Sequence, residues 1–350
     1  GRVRATVRSG GGAGGRPAVV ILDLMRLMAT LAEGAVGEIT VASAAERELA
    51  ERWCARSGNT VVNASLDGSG RGTLTVRRGR SPDPLLVLGP DRMPGARLWM
   101  YTNFHCNLAC DYCCVASSPQ TPRRELGTDR IARLAEEAAA WGVREIFLTG
   151  GEPFLLPDIG TIVASCAALL PTTVLTNGMV FRGRGLRELE AIPRANVALQ
   201  ISLDSATPEL HDSHRGQGSW AKAVEGIRVA CSLGFRVRVA ATVAAPAPGE
   251  LAAFHHLLDD VGIAPGDQVV RPVAHEGVAS EGVVITRESL VPEVTVTAEG
   301  VYWHPVAATD DGALVTRQIE PLAPALDEIS RAFAEQWARK ASAAQLFPCA

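Results

Sequence analysis

The sequence predicts an α/β protein in three parts: a small two-layer α/β sandwich, a partial (β/α)6 barrel, and a hairpin-plus-helix extension. Three observations predict this organisation. Residues 17–80 carry helix, strand, helix, strand and strand patterns in that order, residues 97–275 alternate strand and helix patterns, and the alternation stops after residue 275. Alternating strands and helices form parallel sheets with right-handed crossovers, and six such units build most of a barrel.

Length and composition exclude several classes of protein. The chain has 350 residues, which suits about two domains, and 47% of them are hydrophobic, which argues against global disorder. The 34 basic and 38 acidic residues give a net charge of −4, unlike a generally basic nucleic-acid-binding protein. The most apolar run, residues 18–32, contains Asp23 and Arg26, so neither a membrane span nor an export signal is expected. We therefore expect a cytoplasmic protein with no nucleic-acid or membrane partner.

The N-terminal third of the chain divides into a tail, a small unit and a linker. Residues 1–16 are rich in glycine and arginine and predict a flexible tail or a short strand over Val3–Arg8. In the small unit the predicted elements are a helix from residue 18, a strand at 38–42, a helix at 44–56 capped by Ser43, and strands at 59–64 and 72–77. Prolines and glycines then predict a linker over residues 81–96.

Residues 17–80 resemble the small sulfur-carrier proteins of the TusA type, through this element order, Gly37-Glu38 and the run Cys54–Asn59. Those carriers hold sulfur on the cysteine of a Cys-Pro-x-Pro motif at the start of the first helix. The corresponding segment here, Gly14–Ile21, has no cysteine, and without a thiolate no persulfide can form there. Cys54 falls in the middle of a helix and is expected to be buried. The resemblance therefore implies a unit that binds or docks and does not carry sulfur.

The central region alternates strands and helices from Arg97 onwards. The predicted strands are 97–102, 144–149, 172–177, 197–204, 235–243 and 268–273, and the predicted helices are 128–141, 158–169, 184–191, 218–233 and 249–260. In the helix at 128–141, Ile131, Leu134 and Trp141 share one face. In barrels of this kind the chemistry lies at the carboxyl ends of the strands.

Four of the eight cysteines lie within nine residues, directly after the first barrel strand. Three of them, Cys106, Cys110 and Cys113, follow a Cys-x3-Cys-x2-Cys spacing. Thiolates at this spacing can bind three irons of a [4Fe–4S] cluster and leave the fourth iron open to a small molecule. A structural zinc ion, with Cys114 or His105 as the fourth ligand, is one alternative, although no second Cys-x2-Cys pair follows. A ferredoxin-like cluster is another, but Cys114 is next to Cys113 and poorly placed as a fourth ligand.

Polar motifs follow the later strands in order. The second strand ends in Gly150-Gly151-Glu152-Pro153, the third in Thr176-Asn177-Gly178, the fourth in Ser202-Leu203-Asp204, with Arg215 shortly afterwards, and the sixth carries Arg271. Together with the cysteines, these motifs make residues 97–275 resemble the radical S-adenosylmethionine (radical SAM) superfamily. The resemblance implies a partial barrel of radical SAM type, one [4Fe–4S] cluster, S-adenosylmethionine as cofactor, and a one-electron donor such as flavodoxin or ferredoxin.

The resemblance also implies roles for individual residues. Cys106, Cys110 and Cys113 would bind the cluster, and Tyr112 would contact adenine. The methionyl amine would be held by Gly150, Gly151 and Glu152. The rest of the cofactor would be bound by Ser202, Asp204 and Arg215, with Thr176 and Asn177 nearby. Cys114 would be a spectator.

The C-terminal region, residues 276–350, resembles in outline the SPASM extension of peptide-modifying radical SAM enzymes, with a hairpin over 294–296 and 301–306 and a helix at 322–340. The cysteine runs that hold auxiliary clusters in such extensions are missing, which predicts a degenerate extension and a single cluster. His304 is a candidate proton donor or metal ligand and Cys349 a candidate thiol donor, although a structural histidine and a loosely ordered tail are the simpler interpretations.

These features are compatible with three functions. The first is a radical SAM enzyme of the peptide-maturase and molybdenum-cofactor branch that acts on a peptide or natural product. The second is sulfur or selenium chemistry on a small molecule, with a carrier protein supplied in trans. The third is a non-catalytic iron–sulfur or zinc sensor, which would need no intact Gly-Gly-Glu-Pro motif.

Overall fold

The structure is a computed structural model that describes residues 6–7, 17–31, 34–79, 84–243 and 249–339. It divides into two compact units, one made of Gly1–Met93 with Ala332–Leu346 and the other of Pro94–Arg331 with Phe347–Ala350. The division after Met93 falls within the predicted linker 81–96, of which Pro84–Leu88 is a short helix. Most of the predicted tail 1–16, and Cys349, lie outside the described residues.

The N-terminal unit is a four-stranded sheet with two helices. Its elements are β1 (Thr6–Val7), α1 (Pro17–Thr30), β2 (Val36–Val41), α2 (Ala44–Arg56), β3 (Thr60–Leu66) and β4 (Gly72–Arg77). The strand order is β1-β2-β4-β3, in which β1 pairs parallel to β2 and the other pairs are antiparallel. Leu24 and Leu27 of α1 pack in one core with Ile39, Leu74 and Val76 of the sheet. This is the two-layer arrangement that the sequence predicts.

Helix α2 begins where the sequence provides a cap. The Ser43 Oγ accepts a hydrogen bond from the Glu46 amide at 3.2 Å, and the Glu46 carboxylate accepts one from the Ala42 amide at 2.8 Å. These bonds satisfy backbone N–H groups that a helix start leaves without partners. Cys54 lies in the last turns of this helix and is 1% exposed, as expected from its position.

The second unit is built on a nine-stranded sheet. In chain order, after the short helix α3 (Pro84–Leu88), its elements are β5 (Arg97–Tyr101), α4 (Thr128–Trp141), β6 (Glu145–Thr149), α5 (Ile159–Ala167), β7 (Thr172–Thr176), α6 (Arg184–Ala191), β8 (Val197–Ser202), α7 (Pro208–Arg215), α8 (Ser219–Ser232), β9 (Arg236–Val243), α9 (Glu250–Asp260), β10 (Gln268–Pro272), β11 (Val294–Thr297), β12 (Gly300–Tyr302) and β13 (Leu314–Thr316). The last helix, α10 (Ala323–Arg339), is assigned to this unit up to Arg331. Strands β5 to β10 lie side by side in sequence order and pair in parallel.

Strands β5 to β8 are buried on both faces over most of their length, as in sheets covered by helices. Ile146, Phe147 and Leu148 of β6 are all fully buried, because helices pack on one face and the barrel interior on the other. The structure thus has the mixed α/β architecture and the parallel sheet of a partial barrel that the sequence predicts. Among the described residues, no helix is both long and apolar enough to cross a membrane.

The hairpin after residue 275 continues the sheet of the barrel. Strand β11 pairs in parallel with β5, with Thr295 opposite Trp99, and β12 returns antiparallel to β11. The Arg97 guanidinium also lies 3.4 Å from the Glu293 carboxylate, which precedes β11. The second arm is shorter than the predicted 301–306, because Pro305 begins a 3₁₀ turn.

Candidate functional site

A cavity of about 220 Å³ opens at the carboxyl ends of the parallel strands. We call it the central cavity. It is lined by side chains or backbone of Trp99, Tyr101, Cys106, Leu108, Cys110, Tyr112, Cys113, Cys114, Val115, Ser117, Thr149, Gly150, Gly151, Leu175, Thr176, Asn177, Ser202, Arg215, Thr242, Arg271, Pro272, Ala274, Pro305 and Val306. All three cysteines of the Cys-x3-Cys-x2-Cys motif are therefore brought to one site, together with seven of the nine residues predicted to hold the cofactor.

The cysteines lie on the loop between β5 and α4, which folds into consecutive turns. The Cys113 amide donates to the Cys110 carbonyl at 3.2 Å, and the Cys106 amide donates to the Ser118 carbonyl at 3.2 Å. Two sulfurs accept backbone hydrogen bonds: Cys106 from the Leu108 amide at 3.4 Å, and Cys113 from the Ser117 amide at 3.3 Å. Amide donors aimed at sulfur stabilise thiolates and tune clusters held by them. The donor set of this loop therefore fits a thiolate-bound iron–sulfur cluster.

Burial shapes the protonation of these thiols. It raises the pKa of Cys106 to about 12 and that of Cys110 to about 11, with the nearby Arg215 opposing the rise at Cys110. Buried thiols with such pKa values stay protonated at neutral pH unless a metal takes the place of the proton. Cluster binding at this loop should therefore release protons.

A single metal ion makes a different demand on these side chains. Within the part of the chain that the structure describes, no group of three or more His, Cys, Asp or Glu side chains could hold one metal ion. A zinc ion needs its ligands around one point, whereas each thiolate of a [4Fe–4S] site binds its own iron. His105, offered above as a fourth zinc ligand, is absent from the cavity lining, and its Nδ1 lies 3.2 Å from the Thr121 carbonyl oxygen.

The Gly150-Gly151 turn packs directly against the start of the cysteine loop. The Gly151 amide donates to the Asn103 carbonyl and the Glu152 amide to the His105 carbonyl, both at 3.0 Å. A Cβ atom on Gly151 would lie 2.2 Å from the His105 carbonyl oxygen, and one on Gly150 would lie 2.4 Å from the Asn103 Oδ1. The glycines thus permit a close approach of two backbone segments, and they position the loop as well as line the cavity.

Glu152 does not line the cavity, which differs from the sequence expectation that it holds the methionyl amine. Its fully buried carboxylate accepts hydrogen bonds from the Thr176 hydroxyl at 2.8 Å, the Asn177 amide at 2.8 Å and the Phe154 amide at 3.0 Å. Burial raises the pKa of Glu152 to about 7, against the effect of these three bonds. The carboxylate ties the end of β6 to the end of β7 and thereby positions two cavity residues.

Asp204 also lies behind the cavity wall. The sequence placed Ser202 and Asp204 on one face of a strand, but β8 ends at Ser202. The Asp204 carboxylate accepts hydrogen bonds from Arg215 Nε at 2.7 Å, from the Thr242 amide at 3.1 Å and from the Tyr112 hydroxyl. These contacts and the Arg215 charge hold the pKa of Asp204 below its usual value despite burial. Asp204 therefore orients two residues that do reach the cavity.

The Arg215 guanidinium lies over the ring of Tyr112, a residue of the cysteine loop. The Arg215 guanidinium carbon lies 5.4 Å from the centre of the Tyr112 ring, and the neighbouring His214 Nδ1 lies 2.9 Å from an Asp111 carboxylate oxygen. Both contacts come from α7, a helix that the sequence analysis missed. The sequence feature that could have revealed it is Pro208 at the first helical position, after Thr207.

Several other predicted and unpredicted side chains lie in or near the central cavity. Thr176, Asn177 and Ser202 line the cavity as predicted. Cys114 lines it too, and burial raises the pKa of its thiol to about 12. His304, the candidate proton donor, is 1% exposed, is absent from the lining, and accepts a hydrogen bond from the Val306 amide at 3.2 Å. These features are typical of a buried, hydrogen-bonded structural histidine. Tyr101, Thr242 and Pro305 line the cavity without having been singled out.

Comparisons with known proteins agree with this geometry. Residues 100–252 match the family model described as the Radical SAM superfamily. "Molybdenum cofactor biosynthesis protein 1" of Drosophila melanogaster is 39% identical over 140 residues, which cover 38% of this chain and 24% of that protein. "PqqA peptide cyclase" of Ruegeria pomeroyi is 38% identical over 119 residues, covering 33% of this chain and 31% of that protein. The chain thus spans less than a third of the length of either relative.

One solved structure shares the fold over most of the chain. "Native anSMEcpe with bound AdoMet and Cp18Cys peptide" aligns with a TM-score of 0.53 at 12% identity, covering 70% of this chain and 87% of that one. At this identity the likeness concerns the fold alone.

Proposed function

We propose, on the premise that residues 100–252 form a radical SAM domain, that the protein reductively cleaves S-adenosylmethionine at a [4Fe–4S] cluster and abstracts hydrogen from a peptide or natural-product substrate. One observation carries this proposal: the three motif cysteines and seven cofactor-binding candidates from four strand ends line a single cavity. The superfamily is one of enzymes that use this cluster and this cofactor.

In this proposal the chain's own residues bind, orient and shield. Cys106, Cys110 and Cys113 would hold the cluster, which together with S-adenosylmethionine supplies a 5′-deoxyadenosyl radical. Tyr112 and Arg215 would bind the cofactor in positions fixed by the Asp204 carboxylate. Apolar side chains around the cavity keep water from the reacting atoms, which protects a reactive species from side reactions.

The preference for a peptide or natural product rests on what the relatives are. PqqA peptide cyclase carries its substrate class in its name. The cavity adds a physical argument, because it is open at the strand ends and mostly lined by apolar side chains. A one-electron donor such as flavodoxin or ferredoxin would deliver the electron.

We propose that the N-terminal unit, which resembles the TusA-type carriers, is a docking module. It would bind the substrate or a partner protein and would not carry sulfur. Its described residues include one cysteine, Cys54, which is buried and whose pKa burial raises to about 12. Such a thiol is a poor nucleophile. This supports binding without sulfur transfer.

The test is an anaerobic reconstitution of the full chain with iron and sulfide, followed by reduction with dithionite and addition of S-adenosylmethionine. We expect 5′-deoxyadenosine, detected by mass spectrometry, from the unaltered chain. Cys110→Ala should lose both the cluster absorbance and this product, whereas Cys231→Ala, a cysteine change on α8 outside the cavity, should lose neither. Zinc binding without cluster assembly would contradict the proposal, and a complete cluster with no cleavage under any condition would favour the sensor.

A further inference from the structure

Arg271 differs from every other charged residue at the central cavity. It lies near the end of β10, lines the cavity, and has a fully buried Nε atom without a hydrogen-bond partner. Arg215, the other arginine of the lining, is by contrast held by two hydrogen bonds from its guanidinium to Asp204. Within the described residues, Arg271 forms no ion pair.

The groups that face Arg271 do not neutralise it. Its nearest neighbours include Tyr101 of β5 and Cys114 of the cysteine loop, and neither is an acidic residue. The cavity lining contains no aspartate or glutamate among the described residues. Arg271 is thus a cation that the protein brings to a partly desolvated site without a counter-charge.

An unpaired, partly buried guanidinium is costly unless an anion joins it. Its planar fork matches a carboxylate, which accepts two parallel hydrogen bonds. A phosphate dianion would need further donors or a second free cation, and the only other arginine of the described lining is already paired. The cavity that Arg271 lines is also lined by Pro272, Pro305 and Val306, which suit an apolar group in the same site.

We infer that Arg271 binds a carboxylate of the substrate and so selects substrates that carry an acid on an apolar stem; this rests on the proposed function. The position of Arg215 supports the assignment to the substrate. The charge of Arg215 interacts with Tyr112 and Cys110, whereas the charge of Arg271 interacts with Tyr101 and Cys114. The two guanidiniums therefore have different neighbours around the cavity, and Arg215, which Asp204 holds beside Tyr112, is the one assigned above to the cofactor.

The experiment uses the reconstituted full chain saturated with S-adenosylmethionine and a matched pair of probes, 4-methylpentanoate and 4-methylpentanamide. Ligand-observed NMR titration measures the dissociation constant of each probe. We expect the acid to bind at least about tenfold more tightly than the amide, as for charge-assisted hydrogen bonds. Arg271→Gln should remove this preference, Arg271→Lys should keep part of it, and Arg182→Gln, an exposed arginine outside the cavity, should leave it unchanged.

A second measurement separates the substrate from the cofactor. The dissociation constant of S-adenosylmethionine, from anaerobic equilibrium dialysis, should change less than about twofold in Arg271→Gln and rise in Arg215→Gln. If Arg271→Gln weakens the cofactor and acid and amide bind alike, the inference is overturned, because Arg271 then serves the cofactor. If the unaltered chain binds no S-adenosylmethionine at all, the proposed function fails instead, and the two failures are distinct.

Two blocked tripeptides identify the source of the carboxylate. One carries an internal glutamate with an amidated C-terminus, and the other carries glutamine with a free C-terminus. If the first peptide binds in an Arg271-dependent way, the carboxylate comes from an acidic side chain. If the second does so, the carboxylate is that of a peptide C-terminus. Binding of neither, with no acid preference in the small probes, contradicts the inference.

Discussion

The Arg215 Nε lies 2.7 Å from the Asp204 carboxylate in a pair whose side chains are 9% and 1% exposed. The same carboxylate accepts the Tyr112 hydroxyl, so a single acidic residue holds an arginine and an aromatic ring from two segments far apart in the chain. A charge removed from such a pair leaves its partner buried without compensation.

Asp204→Asn should therefore weaken cofactor binding and lower stability. We expect the dissociation constant of S-adenosylmethionine to rise at least about tenfold, and the free energy of unfolding to fall by about 3–5 kcal/mol, the usual cost of breaking a buried pair. Equilibrium dialysis and denaturant unfolding measure the two effects. Asp129→Asn, at an exposed position of α4, is the control and should change neither. Wild-type affinity in Asp204→Asn would show that the pair is not needed for the site.

Gly151→Ala should disturb the cysteine loop. Its Cβ would stand 2.2 Å from the His105 carbonyl oxygen, which is backbone and cannot move without shifting Cys106. We expect a lower melting temperature and a large loss of iron per chain after reconstitution. Gly266→Ala places a Cβ in open space and should match the wild type in both measurements. Full iron loading of Gly151→Ala would mean that the turn does not position the loop.

His304 should make stability depend on pH. Burial lowers its pKa to about 3, below the ordinary value of about 6.5 that the unfolded chain has. Between these values the unfolded state binds more protons than the native state, so the free energy of unfolding falls as the pH is lowered from about 6.5 towards 3. The slope from this one group approaches about 1.4 kcal/mol per pH unit.

The matched variant is His304→Asn, since asparagine can also accept the Val306 amide while having no titration in this range. Urea unfolding at pH 5, 6 and 7 should show a flatter dependence for this variant than for the wild type. Equal slopes in the two proteins would contradict the assignment.

Cys114 should be dispensable for the cluster. Its thiol faces Tyr101 and Arg271 and is next to Cys113, which is itself expected to bind iron. Cys114→Ala should therefore reconstitute to the same iron content and the same absorbance spectrum as the wild type, in contrast to Cys113→Ala. Loss of iron in Cys114→Ala would make this residue a ligand and would revive the zinc or ferredoxin-like alternatives.

Local features of the fold were predictable from the sequence, because they depend on neighbours in the chain. The helix at Thr128–Trp141 has the predicted bounds, and β6, β7 and β10 end within one residue of their predicted ends. The helix is followed by Gly142, β6 by Gly150 and β7 by Asn177-Gly178, so three of these ends carry a local stop signal. The cysteines and the strand-end motifs come together for the same reason, since the carboxyl ends of parallel strands meet at one edge.

Pairings between distant segments were not predictable. Nothing in the local sequence says that Glu152 turns towards Thr176 and Asn177, or that Asp204 turns towards Arg215 and Tyr112. A carboxylate in a strand-end motif looks the same whether it faces a ligand or a neighbouring strand. The parallel pairing of β11 with β5 joins residues about two hundred positions apart, and no short-range pattern encodes it.

The pairing of β11 with β5 also decides where this protein can be cut. Strand β5 lies between β6 and β11, so a fragment ending at residue 275 would leave Leu98 to Met100 with unsatisfied backbone donors and acceptors along an apolar row. Such an exposed edge recruits strands from other molecules and promotes aggregation. A truncated form prepared for crystallisation or for domain exchange should therefore extend at least through Thr316, at the end of β13.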